Sequence, residues 1–449
     1  MPSLIQQSFK ASIQPGLVKL ASSLVMGFTL LVSVAQAGIQ VETWHTQKGT
    51  KVMYVAAPQL PMLDIDVTFD AGSARDGDKP GVAYMTTLLL GTQTKTLSEQ
   101  ALADKTDALG INLGGDVQRD TASFSLRTLT RSSILTPALA LFSDTLTESV
   151  MSEEVFLREK ARVLVGLKQK QVSPENLANE AFWAQLYANH PYAHPVQGTV
   201  DSVKNITLND LNAFYKRYMV AQNATISIVG NVTKAQAQTI AEQLFAKGAI
   251  GQKPEPLAAP IKSKQAVQKN IEFDSSQTYF RYGQLGVERG HPDYYALFLG
   301  NHLLGGSGFG SLLMAEVREK RGLVYGISSG FAPMRYAGPW SVALSTKNQS
   351  AKEAQTVVEN TLKGFMQDFD AQQFEAIKDN LVGGFPLRID SNGKIIGYIS
   401  MMGFYNLPLD YLEAFPNAMA RLTKQDVLAA WQRQIDLNAM TTVMVGKPQ

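Results

Sequence analysis

Thr207-Leu-Asn-Asp210-Leu-Asn-Ala-Phe214-Tyr and Thr423-Lys-Gln-Asp426-Val-Leu-Ala-Ala-Trp431 carry one pattern at an offset of 216 residues. The same offset relates Ile226-Ser-Ile-Val229-Gly230 to Thr442-Val-Met-Val445-Gly446. Each copy reads as a capped helix followed by a buried strand that ends at glycine. Threonine is a good N-cap, and the aspartate in the next turn sits near the positive end of the helix dipole. Pro80 and Pro292, 212 residues apart, each begin a further pair of matching helices. Two similar offsets spanning most of each half argue for a duplicated chain.

In the first half, alternation and β-branched content predict strands near Gln40–His45, Lys51–Ala56 and Leu63–Ala71. Helices are expected near Gly81–Leu90, Leu97–Leu109, Leu135–Val150, Ser152–Gln171 and Glu175–Ala188, with a hairpin across Asn112–Thr128. The Thr207 helix, the Ile226 strand and a helix near Lys234–Phe245 close the half. Strands followed by runs of helices imply α+β halves, each with an antiparallel-rich sheet packed with helices. The expected division is residues 38–246, a linker at 247–270 containing Pro254, Pro256 and Pro260, and residues 271–449.

The 449 residues exceed one ordinary core, and 45% apolar with 18% charged content describes a globular protein. Lys10 and Lys19 form a basic start, Leu20–Val34 is apolar, and Ala35-Gln36-Ala37 has the A-x-A form of a cleavage site. Residues 1–37 are therefore expected to be a signal peptide cleaved after Ala37, leaving no stable membrane span. In a Gram-negative host the destination would be the periplasm. Without the two lysines, 41 basic residues become 39 against 39 acidic ones, so nothing points to nucleic acid. With no cysteine, an exported chain must be held by its core alone.

Residues 301–325 read Asn-His-Leu-Leu-Gly-Gly-Ser-Gly-Phe-Gly-Ser-Leu-Leu-Met-Ala-Glu-Val-Arg-Glu-Lys-Arg-Gly-Leu-Val-Tyr. Phe309–Lys320 is expected to be a helix reached from a glycine-rich loop, stopped at Gly322, with Leu323–Ser329 as the next strand. Arg318 in the last turn and Tyr325 on the strand can then converge. Gly305, Gly306, Ser307 and Gly308 lack the Lys-Ser/Thr of a P-loop. They read either as a tight start to the helix or as a flexible wall of a substrate chamber.

Residues 81–92, Gly-Val-Ala-Tyr-Met-Thr-Thr-Leu-Leu-Leu-Gly-Thr, complete the picture. With residues 301–331 they resemble the pitrilysin/insulinase-type zinc metallopeptidase family. The resemblance covers about residues 39–449 in order and spacing, and it implies a clam-like half-chamber. The family's His-x-x-Glu-His falls here on Tyr84, Thr87 and Leu88, and its third ligand, a glutamate, on Gly166. A zinc hydrolase needs three protein ligands, an open position and a base, so no metal or cofactor is expected in this chain. His190 and His194 are the only close histidines. Pro191 and Pro195 follow them and disfavour a shared helix face, so the segment reads as a loop packed over the helices.

In active relatives an arginine and a tyrosine with the spacing of Arg318 and Tyr325 bind the peptide near the scissile bond. They stabilise the oxyanion, a task suited to a guanidinium and a phenol. The resemblance thus implies the non-catalytic subunit of a heterodimeric zinc metalloendopeptidase. Its partner would be a homologous subunit carrying His-x-x-Glu-His and zinc, and its substrates unfolded peptides. The competing reading is a stand-alone periplasmic peptide-binding or structural assembly protein of the same fold, with no part in proteolysis.

Overall fold

The computed structural model describes residues 39–449. The expected signal peptide lies outside the described residues.

The first half contributes strands β1 (Glu42–His45), β2 (Lys51–Ala56), β3 (Met62–Phe69), β4 (Asn112–Val117), β5 (Ala122–Leu129) and β6 (Ala224–Gly230). Its helices are α1 (Val82–Leu89), α2 (Glu99–Leu109), α3 (Ser132–Thr147), α4 (Glu153–Gln171), α5 (Pro174–Tyr187), α6 (Val200–Asn205), α7 (Leu208–Tyr218) and α8 (Lys234–Leu244). The second half contributes β7 (Val267–Glu272), β8 (Gln277–Leu285), β9 (Val324–Phe331), β10 (Pro339–Lys347) and β11 (Thr441–Gly446). Its helices are α9 (Tyr294–Asn301), α10 (Ala351–Gln367), α11 (Ala371–Gly383), α12 (Asn392–Tyr405), α13 (Tyr411–Arg421) and α14 (Lys424–Gln434). Strand β7 begins at Val267, so the end of the 247–270 stretch belongs to the second sheet.

The sheets run β1-β2-β6-β3-β5-β4 and β7-β11-β8-β10-β9. Each contains one parallel pair, β2–β6 in the first and β7–β11 in the second, and is otherwise antiparallel. The two capped helices repeat their hydrogen bonds. Thr207 Oγ1 accepts from the Asp210 N–H at 3.3 Å, and the Asp210 carboxylate accepts from the Thr207 N–H at 2.8 Å. Thr423 and Asp426 do the same at 3.2 and 2.9 Å. Strands β6 and β11, which follow, are buried throughout, because each is central in its sheet and covered on both faces.

Residues 39–449 form a single compact unit, and the reason lies in two helices. Helix α5 leaves its own half and packs on β11 and β8 of the second sheet; α12 packs on β6, β3 and β2 of the first. Phe182, Leu186 and Tyr187 of α5 share a core with Leu285, Val443 and Val445. Ile395, Ile399 and Met402 of α12 share one with Met53, Val55 and Val229. Each sheet therefore has a lid supplied by the other half. Where the halves meet, the buried Asp120 carboxylate accepts from the hydroxyls of Tyr192 and Tyr405 and from the Arg335 N–H. The segment around His190 packs at this seam: His190 Nε2 lies 2.8 Å from the Ala258 carbonyl, while His194 faces Asp76.

Candidate functional site

The 301–325 stretch departs from a plain helix. Residues 302–306 continue α9 as a π-helical segment, Gly308–Gly310 makes a 3-10 turn, and Met314–Glu319 is π-helical again. Single π turns inside helices are rare and concentrate at functional sites. Of the expected Phe309–Lys320 helix, residues 312–319 are helical, with the wider π winding from Met314 onward, and the 3-10 turn at Gly308–Gly310 precedes them. Gly322 ends the helix at φ +64°, a conformation that favours glycine, and its N–H bonds the Arg318 carbonyl at 2.7 Å.

Asn301 anchors this region to the sheet. Its side chain donates to the Ser329 carbonyl at 2.9 Å and accepts from Ser329 Oγ at 2.8 Å and Trp340 Nε1 at 3.0 Å. Gly305 presses against the same strand: a Cβ there would stand 2.4 Å from Ser329 Oγ and 2.9 Å from its N. Gly305 is buried and serves close packing of the π-helical segment on β9. It is not exposed as a chamber wall. Gly306 and Ser307 follow it, and Gly308 leads into Phe309 in open space.

Strand β9 carries a bulge. Leu344 pairs with Ile327 but Thr346 with Val324, so Tyr325 and Gly326 together oppose the single residue Ser345. A bulge re-aims side chains locally. Here it turns Tyr325 out, leaving its side chain 86% exposed. The Arg318 guanidinium lies 5.0 Å from the Tyr325 ring centroid and 4.8 Å from that of Phe309, which is itself 66% exposed. The cation is thus held between two exposed aromatic faces. Among the described residues Arg318 makes no ion pair, whereas Arg321 is bound to Glu316 at 2.8 Å together with Lys320. A guanidinium fixed in plane, with its donors free, is suited to binding a carbonyl or carboxylate. Phe309 was not singled out from the sequence; an aromatic in Gly-Phe-Gly nine residues before the arginine was the available signal.

Tyr84, Thr87 and Leu88 lie on α1 and line one side of a cavity of about 540 Å³ beside the edge strand β4. Gly114, Gly115, Asp116, Lys170 and Gln197 contribute to its walls. The residues at the metal positions do not fit zinc. Leu88 offers no ligand atom, Tyr84 is a poor one, and the Thr87 hydroxyl is buried without a hydrogen-bond partner. Gly166 stands on α4, which packs against α1, but it does not line the cavity. Lys170, one turn on, does, and binds Gln197 at 2.6 Å. A lysine ammonium beside these positions repels a divalent cation. Among the described residues no three His, Cys, Asp or Glu side chains cluster to hold a metal.

Helix α1 is started by a buried carboxyl. Asp76 accepts from the Gly81 N–H at 2.6 Å and the Ala83 N–H at 2.8 Å. Burial pushes its pKa up to about 8 against the opposing pull of these bonds, and His194, 4.0 Å away, is itself held toward neutrality by burial. The folded state therefore binds this proton more tightly than the unfolded chain, whose value is 3.8. The stability linked to it is complete below pH 3.8 and is lost as pH rises toward about 8. Asp76→Asn is expected to flatten the fall of melting temperature across that window. Superimposable pH profiles of the two proteins would show that Asp76 does not hold a proton there.

Tyr84, Thr87 and Leu88 thus stand together on one cavity wall in the first half, and Arg318 and Tyr325 form an exposed pair in the second. Residues 51–200 match the family described as insulinase, peptidase family M16, and residues 205–381 match the peptidase M16 inactive domain. The crystal structure of a peptidase M16 inactive domain from Pseudomonas fluorescens is 36% identical, with a TM-score of 0.88 over 92% of this chain and 98% of that one. The chain belongs to the insulinase-type peptidase family M16. A Helicobacter pylori relative called non-peptidase homolog YmxG is 24% identical over 93% of this chain and 97% of its own length. A Bacillus subtilis relative called uncharacterized zinc protease YmxG is 21% identical over 78% of this chain and 85% of its own length.

Among the described residues no helix is long and apolar enough to cross a membrane.

Proposed function

We propose that this chain is the non-catalytic subunit of a two-chain zinc metalloendopeptidase, exported to the periplasm and acting on unfolded peptides. The observation that carries this reading is the pairing of Arg318 with Tyr325 on an exposed bulge, its donors not engaged by any acid, in a chain whose own metal positions are Tyr84, Thr87 and Leu88. The non-peptidase name of the Helicobacter pylori relative supports the loss of metal chemistry.

The partner is a homologous subunit that carries His-x-x-Glu-His. A zinc ion held by that motif would supply an activated water, with the partner's glutamate as the base. This chain's part is to orient and stabilise. Arg318 donates to the carbonyl oxygen of the bound peptide, where negative charge develops on attack, and the Tyr325 hydroxyl donates beside it. Phe309 and Tyr325 keep the guanidinium in plane, so little ordering is left for the moment of reaction.

The test is reconstitution. This chain, its closest His-x-x-Glu-His relative from the same host, and their mixture are assayed with zinc on an unstructured peptide. Cleavage by the mixture alone, with a complex on gel filtration, is the expected result. A mixture no more active than the relative, with no complex formed, would favour a stand-alone peptide-binding or structural assembly protein.

A further inference from the structure

Tyr325 is also one wall of a second cavity, of about 500 Å³, which shares no lining residue with the cavity at Tyr84. Its floor follows from the strand register. Arg281 of β8 lies opposite Ala343 of β10, and Ala343 opposite Ser328 of β9. Side chains of paired residues share a face, so a long arginine lies beside two of the smallest residues. Ser345 and Gly326 extend the small row along the cavity. Tyr279, Met314 and Tyr325 stand around this small-residue floor, and the exchanged helix α5 closes the space with Ala178 and Glu175.

Arg281 is the unusual occupant. Its side chain is 19% exposed, and its only ion-pair partner among the described residues is Glu175 at 3.7 Å, beyond hydrogen-bonding distance. Glu175 itself is 68% exposed. Burial lowers the Arg281 pKa, with Glu175 only partly opposing. No side-chain hydrogen bond holds the Arg281 guanidinium among the described residues, and none of its nitrogens is sealed from solvent, so its donors are free toward the cavity. The fold does not demand a guanidinium at this place. Arg281 lies opposite Val443 of β11 as Asp66 lies opposite Ser227 of β6, so the duplicated position carries a carboxyl in the first sheet.

We propose that the Arg281 cavity is a carboxylate-binding subsite, which takes an acidic side chain or the C-terminal carboxylate of a peptide held at Tyr325. Glu175 guards the site as a weak internal competitor that an incoming carboxylate displaces. The subsite rests on the peptide-binding reading above, and it gives that reading a preference among peptides. Its strength follows from charge-assisted hydrogen bonds to a planar guanidinium in a partly dry site.

Calorimetry with the whole chain tests it, using three unstructured peptides of one sequence. One ends in a free carboxylate and has no acidic residue, one ends in an amide, and one ends in an amide but contains a single glutamate. At least one acid-bearing peptide is expected to bind about tenfold to a hundredfold more tightly than the neutral one. Which of the two gains identifies the source of the carboxylate. Arg281→Gln is expected to remove the difference. Glu175→Gln, at an exposed position where folding is not at issue, is expected to enlarge it. Equal binding of all three peptides, or a preference that survives in Arg281→Gln, would overturn the subsite. Peptide binding that is weakened by Tyr325→Ala but indifferent to charge would do so while leaving the peptide-binding reading intact. Failure of every peptide to bind would overturn both.

Discussion

Arg318→Ala in the reconstituted pair is expected to lower kcat by about 10²–10³-fold, the usual loss on removing one oxyanion donor, without unfolding the chain. Stability should hold because Arg318 makes no ion pair among the described residues, and its two aromatic contacts are with exposed rings. Such contacts are worth about 0.5–1 kcal/mol each at the surface. Arg318→Lys keeps the charge but loses the planar fork held between Phe309 and Tyr325, so it should recover little of the rate. Tyr325→Phe keeps the stacking face and removes only the hydroxyl. Single-turnover cleavage, melting temperature and complex formation would be measured on each variant. Loss of rate with unchanged assembly and melting supports a donor role. Unchanged rate in Arg318→Ala would remove this chain from the chemistry even if the complex forms.

Residues 39–246 produced without the rest of the chain are expected not to fold stably. The reason is the exchanged helix. Met53, Val55 and Val229 of the first sheet are buried against Ile395, Ile399 and Met402 of α12. Uncovering a buried aliphatic side chain costs about 1.5–3 kcal/mol. Three of them amount to about 5–9 kcal/mol, within the range of a whole domain's stability of about 5–15 kcal/mol. Asp120 would lose Tyr405 and the Arg335 N–H as well. Residues 247–449 supplied as a separate chain should restore the fold, since packing and hydrogen bonds, which need no chain connection, hold the lid to the first sheet. Soluble yield, near-ultraviolet circular dichroism and amide exchange on β2 and β6 would decide. A cooperative native-like transition for residues 39–246 alone would show α12 to be dispensable.

The sequence disclosed the duplication because capped helices leave local marks. Thr207 with Asp210, and Thr423 with Asp426, form their bonds within one turn, so the pattern survives in any context. The strands of the first half were legible for a similar reason, since a half-buried strand alternates residue by residue, as β5 does. The vacated metal positions were readable too, because His-x-x-Glu-His is a spacing on one helix and its absence is equally local.

The site itself was only half written in one dimension. Arg318 and Tyr325 could be named from their spacing, but not the means by which they meet. The register shift between Leu344 and Thr346, which turns Tyr325 outward, is a property of two strands together. The π-helical turns around Phe309 depend on packing against β9 through Asn301 and Gly305. Arg281 and Glu175 lie more than a hundred residues apart and belong to different halves; they meet only because α5 crosses over.

What the sequence by itself determined is therefore the class of fold, its doubling and the replacement of His-x-x-Glu-His by Tyr84, Thr87 and Leu88, each encoded in a pattern a turn or a strand long. Which sheet each helix covers was decided by tertiary structure alone. The apolar faces of α5 and α12 fit either sheet by pattern, and hydrophobic burial has no direction along the chain. Only the close packing of Phe182 against Val443 and Val445, and of Ile399 against Met53, selects the exchanged arrangement, in which α5 closes the Arg281 cavity.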